Sequence, residues 1–348
     1  MRIPPFIHIQ SYLYNSMKRA TYILLLFSLS RCFTPDVYLP EVDSEKINLT
    51  LNIDEPSSFI KLGYPTSTLS KQKYNWQLKF DNNSSSWGVY TNPSQPIRVI
   101  NTTINRFELI NNKSIDGNTI WQYDEVNNNQ IQSSIGSWGD FNFSNPESHK
   151  DVYVLNWRQD SVEYYFKFQL LDAGINTYHI KYGPLDGTVT YTDSIIKNDI
   201  QLYSYFSLVN NIKINSIEPQ TDDWHIHINY QVDSISKYSR IPYSLTSTEN
   251  IGLFPSAELN HKHVEIHIDS LLDYEQINYI EAKNFSYEKS NSVIGLFYLK
   301  DQATNEIKLN SRQNLILRSQ EEYYVIRPIN LIGNSVNNYT VTIEIKKL

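Results

Sequence analysis

Val162-Glu163-Tyr164-Tyr165-Phe166-Lys167-Phe168-Gln169-Leu170 decides the fold class. Tyr164, Phe166, Phe168 and Leu170 fall on alternate positions, the period of a strand with one face turned to a core. The same period runs outward in both directions. Ile47, Leu49, Leu51 and Ile53 alternate with polar neighbours, as do Trp76, Leu78 and Phe80. So do Trp224, Ile226 and Ile228, then Val264, Ile266 and Ile268, then Val341, Ile343 and Ile345. Turn-forming clusters such as Asp81 to Ser86 and Asn92 to Pro96 separate the runs. No long stretch keeps a 3.6-residue period, and the best helical candidate, Ser270 to Ile280, is short. The expectation is an all-β protein of packed antiparallel sheets or a distorted barrel.

Composition agrees. The 348 residues include 26 Tyr and 14 Phe against 11 Gly, which suits strands joined by polar turns. A net charge of −7 argues against nucleic acid as a partner, since such a binder shows a basic face. The chain has no Gly-x-Ser-x-Gly elbow, no His-Glu-x-x-His helix, no phosphate-cradling loop and no dinucleotide fingerprint. It therefore reads as a binding protein and not an enzyme.

Residues 1–31 read as a signal peptide. Met17 makes a better start than Met1, because Lys18 and Arg19 follow it and an apolar run from Tyr22 to Leu29 comes next. Cys32 is the only cysteine, so no intramolecular disulfide forms. Leu29-Ser30-Arg31-Cys32 resembles a bacterial lipobox, with Arg31 where the pattern has a small residue. Residues 32–46 then read as a lipidated Cys32 and an acidic tether carrying Glu41, Asp43 and Glu45, as on surface lipoproteins of Bacteroidota. The expected place is the outer membrane and cell surface, or secretion if Cys32 is not acylated.

The body divides into an N-terminal β half, 47–195, and a C-terminal β half, 196–348, with a seam between Gly187 and Asp199. An internal duplication supports this. Trp76-x-Leu-x-Phe80, Ile135-Gly136, Val152 to Leu155 and the strand ending at Leu170 are followed in the same order by Trp224-x-Ile-x-Ile228, Ile294-Gly295, Tyr324 to Ile326 and the terminal strand.

These landmarks resemble the HmuY-like family of Bacteroidota lipoproteins over most of residues 50–348. Trp76-Gln77-Leu78-Lys79-Phe80 and Trp224-His225-Ile226-His227-Ile228 resemble the family's Trp-Asp-Leu-x-Phe strand. Tyr165-Phe166-Lys167-Phe168-Gln169-Leu170, Ser292-Val293-Ile294-Gly295 and Tyr324-Val325-Ile326-Arg327 resemble further segments. The signature Asp is replaced here by Gln77 and His225. The resemblance implies an all-β surface lipoprotein, with haem as the ligand of characterised members, delivered to an outer-membrane transporter for iron or porphyrin acquisition. Family members hold the iron through His or Met, and both Met residues here precede Cys32.

Any axial pair would therefore come from His, or else from Tyr. His261 and His263 lead as axial haem ligands, because they follow a long aromatic loop carrying Tyr238, Tyr243, Leu253 and Phe254. The alternative is a divalent-metal site from His225, His227, His263 and His267, which requires the two His-bearing strands to be neighbours. The strand pattern places His225 and His227 together, opposite a face of Trp224, Ile226 and Ile228. The remaining alternatives are ordinary solvent-facing histidines and a surface that binds glycan or an envelope protein. Trp87, Trp121, Trp138 and Trp157 would either stack on a sugar or pack in a core.

Overall fold

A computed structural model of the chain describes residues 44–348 apart from 53–56, 64–65, 72–74, 116–119, 128–129, 142–145, 160, 235–250, 290–297, 301–306, 311 and 336–337. The expected signal peptide, Cys32, most of the tether, Tyr238, Tyr243 and the Ile294-Gly295 segment lie outside the described residues. The strands form four principal sheets, antiparallel throughout, and none closes on itself among the described residues. Of the two expected forms, packed sheets is the one adopted.

Sheet 1 runs in the order Tyr191–Ile196, Thr177–Pro184, Val162–Ala173, Val152–Gln159 and Arg98–Asn101. Sheet 2 runs Ile212–Ile214, Tyr203–Ser207, Leu78–Asp81 and Val89–Thr91. Sheet 3 runs Ser67–Lys71, Ser57–Lys61, Ile226–Ser234 and Ile251–Leu259. Sheet 4 runs Ser44–Asn52, Asn338–Lys347, Glu322–Ser335, Asn314–Ser319 and Glu265–Asp269.

Side-chain alternation stacks these sheets in that order. Leu78, Phe80 and Phe206 of sheet 2 share one core with Leu155, Phe168, Tyr178 and Ile180 of sheet 1. Ile60, Ile226, Ile228 and Leu259 of sheet 3 share another with Ile266, Leu317, Tyr324, Ile343 and Ile345 of sheet 4. Between sheets 2 and 3 lies a third core of Phe59, Trp76, Tyr203, Tyr205, Ile214 and Trp224. Every residue of Leu78–Asp81 is buried because its sheet is covered on both faces. The outer faces are covered as well. Phe107 and Ile110 pack on Val152 and Val154 of sheet 1. Tyr274, Ile277 and Ala282, around the short helix Tyr279–Asn284, pack on Ile316 and Val325 of sheet 4. Covered outer faces explain why Val152 to Leu155 and Tyr324 to Ile326 are continuous apolar runs.

The two sandwiches have one topology. Sheets 2 and 3 match strand for strand, as do sheets 1 and 4, with Leu78–Asp81 corresponding to Ile226–Ser234. By place in the sheets, Val152–Gln159 corresponds to Asn314–Ser319 and Val162–Ala173 to Glu322–Ser335, one strand away from the pairing that the sequence pattern suggests. The last three strands of the second sandwich come from the start of the chain. Ser44–Asn52, Ser57–Lys61 and Ser67–Lys71 take the places that Tyr191–Ile196, Tyr203–Ser207 and Ile212–Ile214 hold in the first. The crossings between sandwiches therefore fall at residues 72–77 and 215–225, and the Gly187–Asp199 segment lies within the first sandwich.

Local bonds repeat with the topology. Gln77 N–H donates to the Phe206 carbonyl at 3.0 Å, and His225 N–H to that of Ile60 at 2.8 Å. The Asn92 and Asn260 amides each donate to the carbonyl of their Trp, Trp76 and Trp224, at 2.9 Å.

Candidate functional site

The strand beginning at Ile226 separates the first two candidate histidines. Ile226 and Ile228 face sheet 4, but Trp224 precedes the strand and turns the other way, onto Phe59 and within 6.2 Å of the His227 ring. The expected common face for His225 and His227 is thus corrected. His225 Nδ1 accepts the Leu62 N–H at 2.8 Å, and its Nε2 lies 3.3 Å from Ser319 Oγ. Because a backbone donor occupies Nδ1, the proton sits on Nε2 and the ring is neutral. Burial lowers its pKa to about 4, with the nearby His263 and Lys61 adding to the effect.

His227 is buried between sheets 2 and 3, stacked on Phe59 at 4.1 Å. Its Nδ1 is 3.5 Å from Glu258, which in turn accepts from Lys79 Nζ at 2.8 Å across the two sandwiches. Burial works against the Glu258 charge, yet Lys79 and then His227 bring its pKa down to about 2. Lys79 also lies 4.1 Å from the centre of the Tyr203 ring. Nearby, Glu218 accepts from the backbone of Leu202 and Tyr203 and from the Tyr205 hydroxyl. Burial outweighs these donors and, with Glu258 adding to it, raises the Glu218 pKa to about 8.

The strand Glu265–Asp269 lies in sheet 4 and Ile226–Ser234 in sheet 3, so the two His strands are not neighbours. His267 stacks on Phe285 at 4.2 Å and bonds the Ser286 carbonyl, while Glu265 pairs with Arg318. His263 Nε2 lies 3.0 Å from Asp222. Among the described residues no three of His, Cys, Asp and Glu gather around a point where a metal ion would sit. His225, His227, His263 and His267 are thus not brought together.

His261 is different. It sits on the turn that follows Ile251–Leu259, half-buried, and its Nδ1 is buried with no hydrogen-bond partner. It lines a cavity of about 250 Å³ together with polar Asp81, Asn83, Ser86, Tyr90, Lys262 and Lys289 and apolar Ile131 and Leu202. Asp81 is 6% exposed, and its Oδ2 accepts from Ser86 Oγ, from Gly88 N–H at 3.0 Å and from the Tyr90 hydroxyl at 3.5 Å. Burial raises its pKa against the Ser86 and Gly88 bonds. Burial lowers that of His261, while the negative charges of Asp81 and Glu258 oppose it. Lys197 Nζ holds the loop beside the cavity by donating to the carbonyls of Asn83 at 2.7 Å and Ser86 at 2.6 Å. A buried acceptor, an unpartnered imidazole nitrogen and two ammonium groups suit recognition of a small polar molecule.

Sequence reasoning singled out His261 but missed Asp81, whose strand pattern looks purely structural. The one available signal was the acidic residue ending the Trp76 strand, directly before Asn82-Asn83-Ser84-Ser85-Ser86. Of the tryptophans, Trp138 and Trp157 are buried in the first sandwich, and Trp87 donates to the Gly174 carbonyl. Trp121 lies beneath Arg98, 4.5 Å from its guanidinium. No family model, no curated protein and no solved structure matches the chain.

Proposed function

We propose that this chain is a lipid-anchored, cell-surface binding protein whose ligand site is the cavity between Asp81 and His261. The single observation that carries the reading is the buried Nδ1 of His261, without a hydrogen-bond partner on a residue that lines the same cavity as the buried Asp81. Leaving a buried imidazole nitrogen unbonded costs on the order of 1–3 kcal/mol, a cost that a ligand hydrogen bond offsets. The N-terminal pattern around Cys32 supports the anchor, and the absence of sequence motifs for catalysis supports binding over chemistry.

The test is thermal denaturation of the purified chain against a panel of sugars, sugar acids, amino acids, nucleotides and haem. A ligand that raises the melting temperature in wild type, but not in an Asn83→Trp variant that fills the exposed rim, places binding at this cavity. A panel with no stabilising member removes the reading. For the anchor, radiolabelled palmitate should enter the wild-type chain in a bacterial host and not Cys32→Ala.

Haem is the second reading, supported by the resemblance to the HmuY-like family and by the same free nitrogen of His261. A cavity of about 250 Å³ is below the usual ~300–1,000 Å³ of small-molecule clefts, which favours a ligand smaller than a porphyrin. A saturable one-to-one Soret shift that disappears in His261→Ala would reverse that preference. A shift lost only in His263→Ala would return the axial role to His263.

A further inference from the structure

The duplicated topology supplies a comparison within one molecule. Asp81 and Asn229 hold the same place in their strands, three residues after the corresponding Leu78 and Ile226. Ser94 and Lys262 hold the same place after the corresponding Asn92 and Asn260. Each sandwich brings its strand residue to the turn of the other, so the interface has two equivalent corners. At one corner Ser94 Oγ donates directly to Asn229 Oδ1 at 2.8 Å, which closes it. At the other, Asp81 and Lys262 make no such bond and stand on the wall of the cavity. Lys262 Nζ instead donates to the Asp199 carbonyl at 2.8 Å. One fold thus shows how the corner packs when it is only structural, and the open corner departs from it by placing charges where the closed one has neutral groups.

Those charges specify a ligand class. A simple anion would meet the Lys262 and Lys289 ammonium groups but also the Asp81 carboxylate. A free amino acid would satisfy one acceptor and one anion site and its side chain would reach Ile131 and Leu202, but Asn83 and Ser86 would find no partner on it. A sugar with several hydroxyls and one carboxylate meets every polar group, and the C–H face of its ring lies against Ile131 and Leu202. We propose that the cavity takes an acidic monosaccharide, its carboxylate toward Lys262 and Lys289 and its hydroxyls toward Asp81, Asn83, Ser86 and His261. Asn83 uses Oδ1 to hold Ser85, which leaves its NH2 as donor to the sugar. An ammonium has three donors, so the bond of Lys262 to Asp199 leaves two for a carboxylate. Charge-assisted bonds of this kind add both affinity and a preference for the acid over the neutral sugar. This inference rests on the binding-site reading given above.

Isothermal titration of the purified chain with D-glucuronate and D-galacturonate tests it, with D-glucose, D-galactose, L-glutamate and inorganic phosphate beside them. The expected result is one site per chain for a uronate and weaker binding of its neutral counterpart. Lys289→Gln and Lys262→Gln should each weaken uronate binding by on the order of tenfold, leaving the neutral sugar unaffected. His261→Ala should weaken both, and circular dichroism with thermal melts would verify that each variant folds. Equal affinity for acid and neutral sugar, or uronate binding indifferent to both Lys variants, would overturn the acidic class. Binding of glutamate or phosphate in place of any sugar would overturn the sugar class while the cavity stands, provided Asn83→Trp abolishes it. If nothing in this set or the broader panel binds, both the class and the site fall together.

Discussion

Gln77 and His225 perform the same task in the two sandwiches. Gln77 Oε1 accepts the Leu208 N–H at 2.9 Å, and His225 Nδ1 accepts the Leu62 N–H at 2.8 Å. Each follows a Trp, each immediately precedes a central strand of its sheet, and each leucine stands two residues beyond the residue paired with that strand's first residue, Phe206 or Ile60. What the position requires is an acceptor aimed back at a buried backbone donor, and two chemistries meet it here, Gln and His.

Removing the acceptor should therefore cost more than changing it. Gln77→Leu and His225→Leu each strand a buried N–H, a loss of about 1–3 kcal/mol. His225→Gln should recover most of it by copying the first sandwich. Urea unfolding measures the three variants, and equal stability of His225→Leu and His225→Gln would count against the shared role.

Acid should expose the same bond. The neutral His225 of the folded chain has a pKa of about 4, against 6.5 for an ordinary histidine. As pH falls from about 6.5 to about 4 the unfolded chain binds a proton that the folded one refuses, so the His225 contribution to stability is lost across that window. At about 1.4 kcal/mol per pKa unit the loss approaches about 3 kcal/mol. Glu218 acts oppositely, since its pKa of about 8 makes the folded chain bind more protons above 4.5. The comparison must then be with His225→Gln, whose stability relative to wild type should rise on acidification from about pH 7 to about pH 4. A flat difference across that range would mean that the folded chain takes up the His225 proton as readily as the unfolded one.

The Lys79–Glu258 pair joins the two sandwiches through side chains only 3% and 9% exposed. Lys79→Met leaves the Glu258 carboxylate buried beside an imidazole, at a cost of about 3–5 kcal/mol. Lys79→Met with Glu258→Gln removes both charges and should be the more stable of the two. The sign at low pH follows from the lowered pKa of about 2: Glu258 stabilises the fold above its ordinary value of 4.5, and that contribution disappears as pH falls toward 2. A double-mutant cycle in urea reads the coupling, and additivity of the single variants would show that the pair contributes no coupling.

Alternation made the strands legible, and the two Trp strands gave away the duplication. What period two could not show was where alternation starts. Period two groups Trp224 with Ile226 and Ile228, yet it lies before the strand and faces the opposite layer. Strand neighbours were also beyond reach. Glu265–Asp269 pairs with Asn314–Ser319, and Ser57–Lys61 reaches Ile226–Ser234 from the other end of the sequence. Such pairings depend on long-range closure that no local pattern encodes. The cavity was half legible for the same reason, since His261 stands on a recognisable turn while Asp81 acquires its role from that distant turn.

The borrowed N-terminal strands make the last prediction. Ser44 pairs with Lys346 in sheet 4, so the end of the chain and the start of the described residues lie side by side, antiparallel. A short Gly-containing turn from Leu348 to Ser44 would continue that pair as an ordinary hairpin. A permuted chain that runs from Asn75 to Leu348, through such a turn, and on from Ser44 to Lys71 would then carry two sandwiches in tandem. It should fold with the far-ultraviolet spectrum of the native order and melt within a few degrees of it. Ending the same chain at Leu348 without Ser44 to Lys71 leaves edges of sheets 3 and 4 uncovered, exposing Ile60's partner strand and the inner face of Asn338–Lys347. That truncation should lose cooperative melting of the second sandwich. If the truncated chain melts as the full one does, the first three strands are an appendage and the two sandwiches are not duplicates completed across the ends of the chain.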